Sequence, residues 1–179
     1  MSIEVVYETH SFSEDNERGV ATGWHPGRLS ERGRGLARAL GERRLDNGID
    51  VVFCSDLRRA VQTAEIAFEG SAIPILHDWR LRECDYGALN SSSSSELRRN
   101  IPAHLDEPYP GGESWRQAVT RVGRFLDDLP SRWNGKRVLV IGHAATRWAM
   151  EVHLNGAPLE KLVAEEFEWQ EGWEYRIKR

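Results

Sequence analysis

Hydrophobic positions along this chain alternate between short apolar runs and stretches of helical spacing. Ile3 to Tyr7 is a β-rich run that predicts a strand, followed by a polar, glycine-containing loop to about Arg28. Ser30 suits a helix N-cap, with Leu36, Ala37 and Leu40 on one face behind it. Val51, Val52 and Phe53 predict a second, buried strand running straight into a helix that carries Leu57, Val61, Ala64 and Phe68. Ile73 to Leu76 predicts a short third strand. The cleanest amphipathic stripe joins Trp115, Ala118, Val119, Val122, Phe125, Leu126 and Leu129, and its tryptophan is read as core rather than as a ligand platform. Val138 to Ile141 is apolar without alternation, as in a central strand buried on both faces. This order predicts a single α/β domain over residues 1–179, a mostly parallel central sheet with helices on both faces.

One segment breaks the rhythm. From Leu89 to Gly112 the chain is polar, with serines at 91–95 and then Pro102, Pro108 and Pro110. It reads as a flexible surface loop, and a loop of that length inside a compact domain is often a lid over a substrate site. Composition adds limits. At 179 residues the chain suits one core and is short for two, and 40% hydrophobic with 29% charged residues is ordinary for a soluble protein. The net charge of −4 gives no global attraction for nucleic acid or acidic membranes, so neither is an expected partner. Arg176, Lys178 and Arg179 read as a solvated tail. Two cysteines, Cys54 and Cys84, are too few for a disulfide framework, and no signal peptide or membrane span is visible near Met1, so the expected location is cytoplasmic.

Ligands of open α/β sheets bind beyond the carboxyl ends of the strands. His10 follows the first predicted strand, Ser55-Asp56-Leu57-Arg58-Arg59 the second, and Gly142-His143 the apolar run at 138–141. A lone histidine is usually structural. Two histidines and an arginine at three strand ends supply a nucleophile, a fixed positive charge and hydrogen-bond donors, the needs of a phosphoryl site. Glu83 is a candidate proton donor, its bland alternative being an exposed carboxylate in a strand.

These residues sit in stretches that resemble the histidine phosphatase superfamily, in its phosphoglycerate mutase-like branch. The resemblance is carried in order by Leu29-Ser30-Glu31-Arg32-Gly33, by Ser55 to Ala64, by Leu81-Arg82-Glu83 with Tyr86-Gly87, by Gly111-Gly112-Glu113-Ser114, and by Val138 to His143. The first block departs from the family's Arg-His-Gly-Glu-Thr, two residues, then Asn: aligning Asn16 puts Thr9 at the arginine, His10 at the nucleophile and Ser13 at the threonine. Ala144 and Ala145 follow His143, altering a glycine as well. The resemblance implies that His10 attacks phosphorus, Glu83 serves as general acid and base, and Arg59 and His143 hold the phosphoryl oxygens. Thr9, Ser13, Asn16, Gly23 and Ala144 are the further expected phosphate contacts, with Arg58 left solvated. Arg18, Arg28, Arg82 and Arg147 are candidates for the cation absent at Thr9, although Arg147 is better placed to pair with Glu151 at i, i+4. No cofactor and no metal are implied; a two-histidine-one-carboxylate site from His10, His143 and Glu83 is the weaker alternative. The expected partner is a small phosphorylated substrate, with a homodimer left open. The expected activity is a metal-independent phosphatase working on a small phosphomonoester through a phosphohistidine. The alternatives are a non-catalytic phosphate-ligand or protein-binding module on the same fold, favoured by the loss of the arginine, and a phosphomutase, for which the chain looks short of a lid.

Overall fold

The computed structural model describes residues 2–165 and 168–178. Strand β1 runs over Ser2–Thr9, then come helix α1 (Glu14–Glu17), β2 (Val20–Ala21), α2 (Glu31–Arg44), β3 (Val51–Cys54), α3 (Arg58–Ala67) and β4 (Ile75–His77). After these lie β5 (Ser92–Ser93), α4 (Ser94–Asn100), α5 (Trp115–Trp133), β6 (Arg137–Gly142), α6 (Ala144–Asn155), α7 (Leu159–Ala164) and β7 (Trp173–Lys178). The main sheet has the order β4-β3-β6-β1-β7. β1, β3, β4 and β6 are parallel, and β7 pairs antiparallel with β1. The apolar run at 138–141 is therefore central: β6 is flanked by β1 and β3, and Val138 to Ile141 are fully buried.

Alternation along β1 divides the core. Ile3, Val5 and Tyr7 join the side chains of α5 and α6 on one face, while Val6 joins Leu40 of α2 and Ala60 and Ala64 of α3 on the other. Every member of the predicted α5 stripe is buried, Trp115 included. Ser30 caps α2 as its residue type predicts, its side chain accepting from the Gly33 amide at 3.0 Å. Gly33 is needed at the next step: a Cβ there would lie 1.8 Å from the Phe12 carbonyl, so only glycine lets the helix meet the loop after β1. Among the described residues no helix is long and apolar enough to cross a membrane. Cys54 and Cys84 are buried free thiols, and burial pushes Cys54 up to about 12.

Several expectations are corrected. Leu36 is exposed on α2, where glycines and Ala37 make the contact instead. The third strand begins at Ile75 rather than Ile73, because Pro74 has no amide for the ladder and contributes only its carbonyl, to Val52. The serine-rich segment carries short elements of its own rather than an irregular loop. Its serines form β5, which pairs with β2, and open α4, which Leu97 anchors in the core. Tyr109 beyond it is buried, with Trp115 Nε1 donating to its hydroxyl. Arg176 and Lys178 lie in the edge strand β7 rather than in a tail, Arg176 pairing with Glu4; Arg179 lies outside the described residues.

Candidate active site

Three strand ends meet as expected. His10 follows β1, Ser55 follows β3, and His143 follows β6, where it is the N-cap of α6. The rings of His10 and His143 are 4.9 Å apart, and Arg59, in the first turn of α3, reaches both. Arg59 is 3% exposed, and burial lowers its affinity for a proton without threatening its charge. Its Nη2 donates to the Gly23 carbonyl at 2.9 Å and to His143 Nδ1 at 3.3 Å, and its Nε donates to His10 Nε2 at 3.3 Å. Nη1 is buried and makes no hydrogen bond, a donor left free for an anion.

The hydrogen bonds assign both tautomers. A carbonyl only accepts, so His10 Nδ1 carries the proton that it donates to the Ser11 carbonyl at 2.8 Å, leaving Nε2 with its lone pair. A guanidinium only donates, so His143 accepts at Nδ1 and carries its proton on Nε2, 2.6 Å from Ser55 Oγ. Burial and then the Arg59 charge hold His10 down to about 3, and the same two causes hold His143 well below its ordinary value. Both rings are neutral near pH 7.

Glu83 is buried between two short 3-10 turns, at 79–81 and 87–89, and belongs to no strand. Its Oε1 accepts from the amides of Cys84 (2.9 Å) and Ala145 (3.1 Å), and Oε2 accepts from Ala144 at 3.3 Å. Those amides and Arg59 favour the carboxylate, but burial outweighs them and raises the pKa. The site thus pairs neutral imidazole nitrogens with a carboxyl that holds its proton above the usual range. That combination suits in-line displacement at phosphorus with proton delivery to the leaving group.

Other expected contacts fall differently. Ser13 and Asn16 cap α1 reciprocally: the Asn16 amide donates to Ser13 Oγ, and the Ser13 amide donates to Asn16 Oδ1. No hydrogen bond links either to His10, Arg59 or His143. Ala144 gives its amide to Glu83 rather than to the anion pocket. Thr9 ends β1 opposite Gly142. Gly23 does enter the site, through its carbonyl; with φ +58 and Asn90 Oδ1 only 1.8 Å from where a Cβ would stand, the position requires glycine. Arg58 is exposed, as expected. Among the candidate replacement cations, Arg18 pairs with Asp15, Arg28 with Glu14 and Arg82 with Asp56. Arg147 stacks over Trp173 at 4.7 Å instead of pairing with Glu151, which takes the Tyr175 hydroxyl. Among the described residues no three His, Cys, Asp or Glu side chains are grouped to hold a metal ion.

Sequence reasoning placed Ser55 at a strand end without giving it a role, and passed over Thr63. Thr63 Oγ1 accepts from the Ser11 amide and donates to the Arg59 carbonyl, tying the nucleophile's loop to α3. The only signal was spacing, since Thr63 lies one helical turn beyond Arg59.

Comparison with known proteins bears on the family and the fold. The histidine phosphatase superfamily (branch 1) matches residues 9–170. A 2,3-bisphosphoglycerate-dependent phosphoglycerate mutase of Haemophilus influenzae (strain PittEE) is 31% identical, with 86% of each chain covered. YhfR of Bacillus stearothermophilus superposes with a TM-score of 0.84 at 24% identity, covering 98% of this chain and 91% of that one. The alpha-ribazole phosphatase of Shigella flexneri does so with a TM-score of 0.77 at 24% identity, covering 90% and 83%. At that identity the two structures establish the shared fold.

Proposed function

The chain belongs to the histidine phosphatase superfamily, in the phosphoglycerate mutase-like branch, and from that premise we propose that it is a phosphatase acting on a small phosphomonoester through a phosphohistidine on His10. The observation that carries the proposal is the His10 tautomer. Its Nδ1 proton is bound to Ser11, and its Nε2 lone pair faces the guanidinium of Arg59, whose Nη1 has no other partner.

In the first step the Nε2 lone pair forms a bond to phosphorus, the bond from phosphorus to the ester oxygen breaks, and Glu83 gives its proton to the departing alcohol. The positive charge gained by the ring is shared with the Ser11 carbonyl. Arg59 balances the phosphoryl oxygens from Nη1 and from the Nε released by His10. In the second step the Glu83 carboxylate takes a proton from water as its oxygen attacks phosphorus. The N–P bond breaks, its electrons return to Nε2, and inorganic phosphate leaves with Glu83 protonated again. No step requires a metal.

A panel of phosphate esters, assayed after dialysis against EDTA with acid-labile phosphate trapped on the protein, tests the proposal. Turnover with His10-dependent labelling is expected; metal-dependent recovery, or labelling that survives His10→Ala, would overturn it. A phosphomutase is the second reading, favoured by the activity named for the 31% identical relative. Phosphoglycerate supplied with its bisphosphate separates the two, since a mutase yields the isomer and a phosphatase yields inorganic phosphate.

A further inference from the structure

Glu83 lies in a stretch that neither helix nor sheet supports, so its aim depends on side chains brought from elsewhere. Arg121, on the buried face of α5 and 6% exposed, supplies most of that support. Its Nη1 donates to the carbonyls of Arg80 (2.7 Å) and Arg82 (3.1 Å), and Nη2 donates to the carbonyl of Glu83 itself (3.2 Å). The remaining donors form a two-pronged ion pair with Glu113, Nε to Oε1 at 2.8 Å and Nη2 to Oε2 at 2.7 Å. All five guanidinium donors are therefore used. Glu113 closes the arrangement from the far side: Oε2 accepts from the Asp85 amide, and its own amide donates to the Asp85 carbonyl. Trp24 Nε1 adds a bond to the Glu83 carbonyl at 2.7 Å.

The main chain from 80 to 85 is thus fixed at five polar groups by Arg121 and Glu113, four through the paired side chains and one through the Glu113 amide, while the Glu83 side chain points the other way, to the start of α6 beside His143. We propose that the Arg121–Glu113 pair is a positioning device for Glu83, setting the carboxyl for proton transfer to the leaving group. The proposal rests on the phosphatase reading above. A lysine at 121 keeps the charge but offers three donors from a point, too few and too close together to span three carbonyls and a carboxylate.

The discriminating readout is dependence on the leaving group. A nitrophenolate departs without a proton, whereas an alkoxide needs one, so a misplaced acid slows release from an alkyl phosphate much more than from p-nitrophenyl phosphate. General acid catalysis is worth about 10²–10⁴-fold. In the first turnover, Arg121→Gln is expected to slow alcohol release from an alkyl phosphate about 10- to 100-fold more than nitrophenol release. Arg121→Lys gives the same split more weakly and serves if the glutamine variant does not fold. In a Glu83→Gln background, either substitution at 121 should add no further split. Equal losses on the two esters, or a split that persists without the Glu83 carboxyl, would overturn the positioning role. If phosphohistidine still forms from p-nitrophenyl phosphate in that case, only the role of Arg121 falls; if none forms in the parent protein, both proposals fall.

Discussion

Arg59 donates from Nε to Nε2 of His10 at 3.3 Å, along the lone pair left free when the other ring nitrogen binds the Ser11 carbonyl. The guanidinium thus stands where a phosphoryl group would meet the nucleophile, while also reaching His143 and the Gly23 carbonyl. Lysine cannot span these partners from one ammonium. Arg59→Lys is therefore expected to lower kcat by about 10²–10³-fold, the worth of one preorganised transition-state donor. A variant within threefold of the parent would show that the cation at 59 does not meet the transition state.

The site should work best in a pH window bounded below by His10 and above by Glu83. Attack needs neutral His10, so the rate is lost as pH falls through about 3. Proton delivery needs protonated Glu83, so the rate on an alkyl phosphate is lost as pH rises through a pKa lifted by burial above the usual carboxylate range. Glu83→Gln should remove the upper limb. A profile of kcat/KM against pH whose upper limb survives that change would sink the assignment.

Folding stability should respond to the same groups with its own sign. Between about 6.5 and 3 the unfolded chain takes up protons that folded His10 refuses, and His143 acts in the same direction. Each histidine then removes up to about 1.4 kcal/mol per pH unit as pH falls. Glu83, which keeps its proton only in the folded state above about 4.3, offsets one of them down to that pH. Denaturant midpoints measured from pH 7 to pH 5 should fall; a flat series would contradict neutral buried imidazoles.

Elements whose cause is local were legible in the sequence. The run at 138–141 and the α5 stripe carry their own periodicity, and each was found where the pattern put it. His10, Arg59 and His143 were legible because strand ends are local too. The setting of Glu83 was not, since it is made by Arg121, Glu113, Trp24, Ala144 and Ala145 from distant parts of the chain. The serine run misled for a related reason. It is held by pairing with Val20 and Ala21 and by Leu97, while serine itself signals only turns.

That segment gives the next expectation through Asn90. Its Oδ1 accepts from the amides of Trp24 (3.3 Å) and Tyr86 (3.1 Å), and its Nδ2 donates to Asp85 at 2.8 Å. It therefore props the turn that delivers the Gly23 carbonyl to Arg59. Asn90→Ala leaves those amides short of an acceptor and is expected to cost about 1–3 kcal/mol of stability, with kcat/KM falling beyond what the unfolded fraction explains. Unchanged urea midpoints and unchanged kinetics would show that the turn holds without it.

In the register that aligns Asn16, Thr9 takes the place of the first-block arginine, and its neighbours decide what restoring one should do. Ser11 gives its amide to Thr63, which in turn holds the Arg59 carbonyl. Phe12 is half-exposed under the Arg32 guanidinium at 4.6 Å, and the amides of Ala144 and Ala145 serve Glu83. The altered positions are thus built into the support of the nucleophile and the acid, which favours a rebuilt site over a decayed one. Thr9 and Tyr7 share a face of β1, and the Tyr7 hydroxyl donates to the His143 carbonyl, so an arginine at 9 would add its charge on the side where His143 and Glu83 meet. A second cation there strengthens the hold on a phosphate dianion, but it also lowers the Glu83 pKa, which Arg59 already pulls down. Thr9→Arg should therefore bind inorganic phosphate more tightly while the upper limb of the pH profile moves to lower pH, with a net change in kcat/KM on an alkyl ester below about tenfold. One preorganised donor restored to a merely decayed site is worth about 10²–10³-fold. A gain of that size, with the upper limb unmoved, would mean that Thr9 is a simple loss rather than part of a rebuilt pocket.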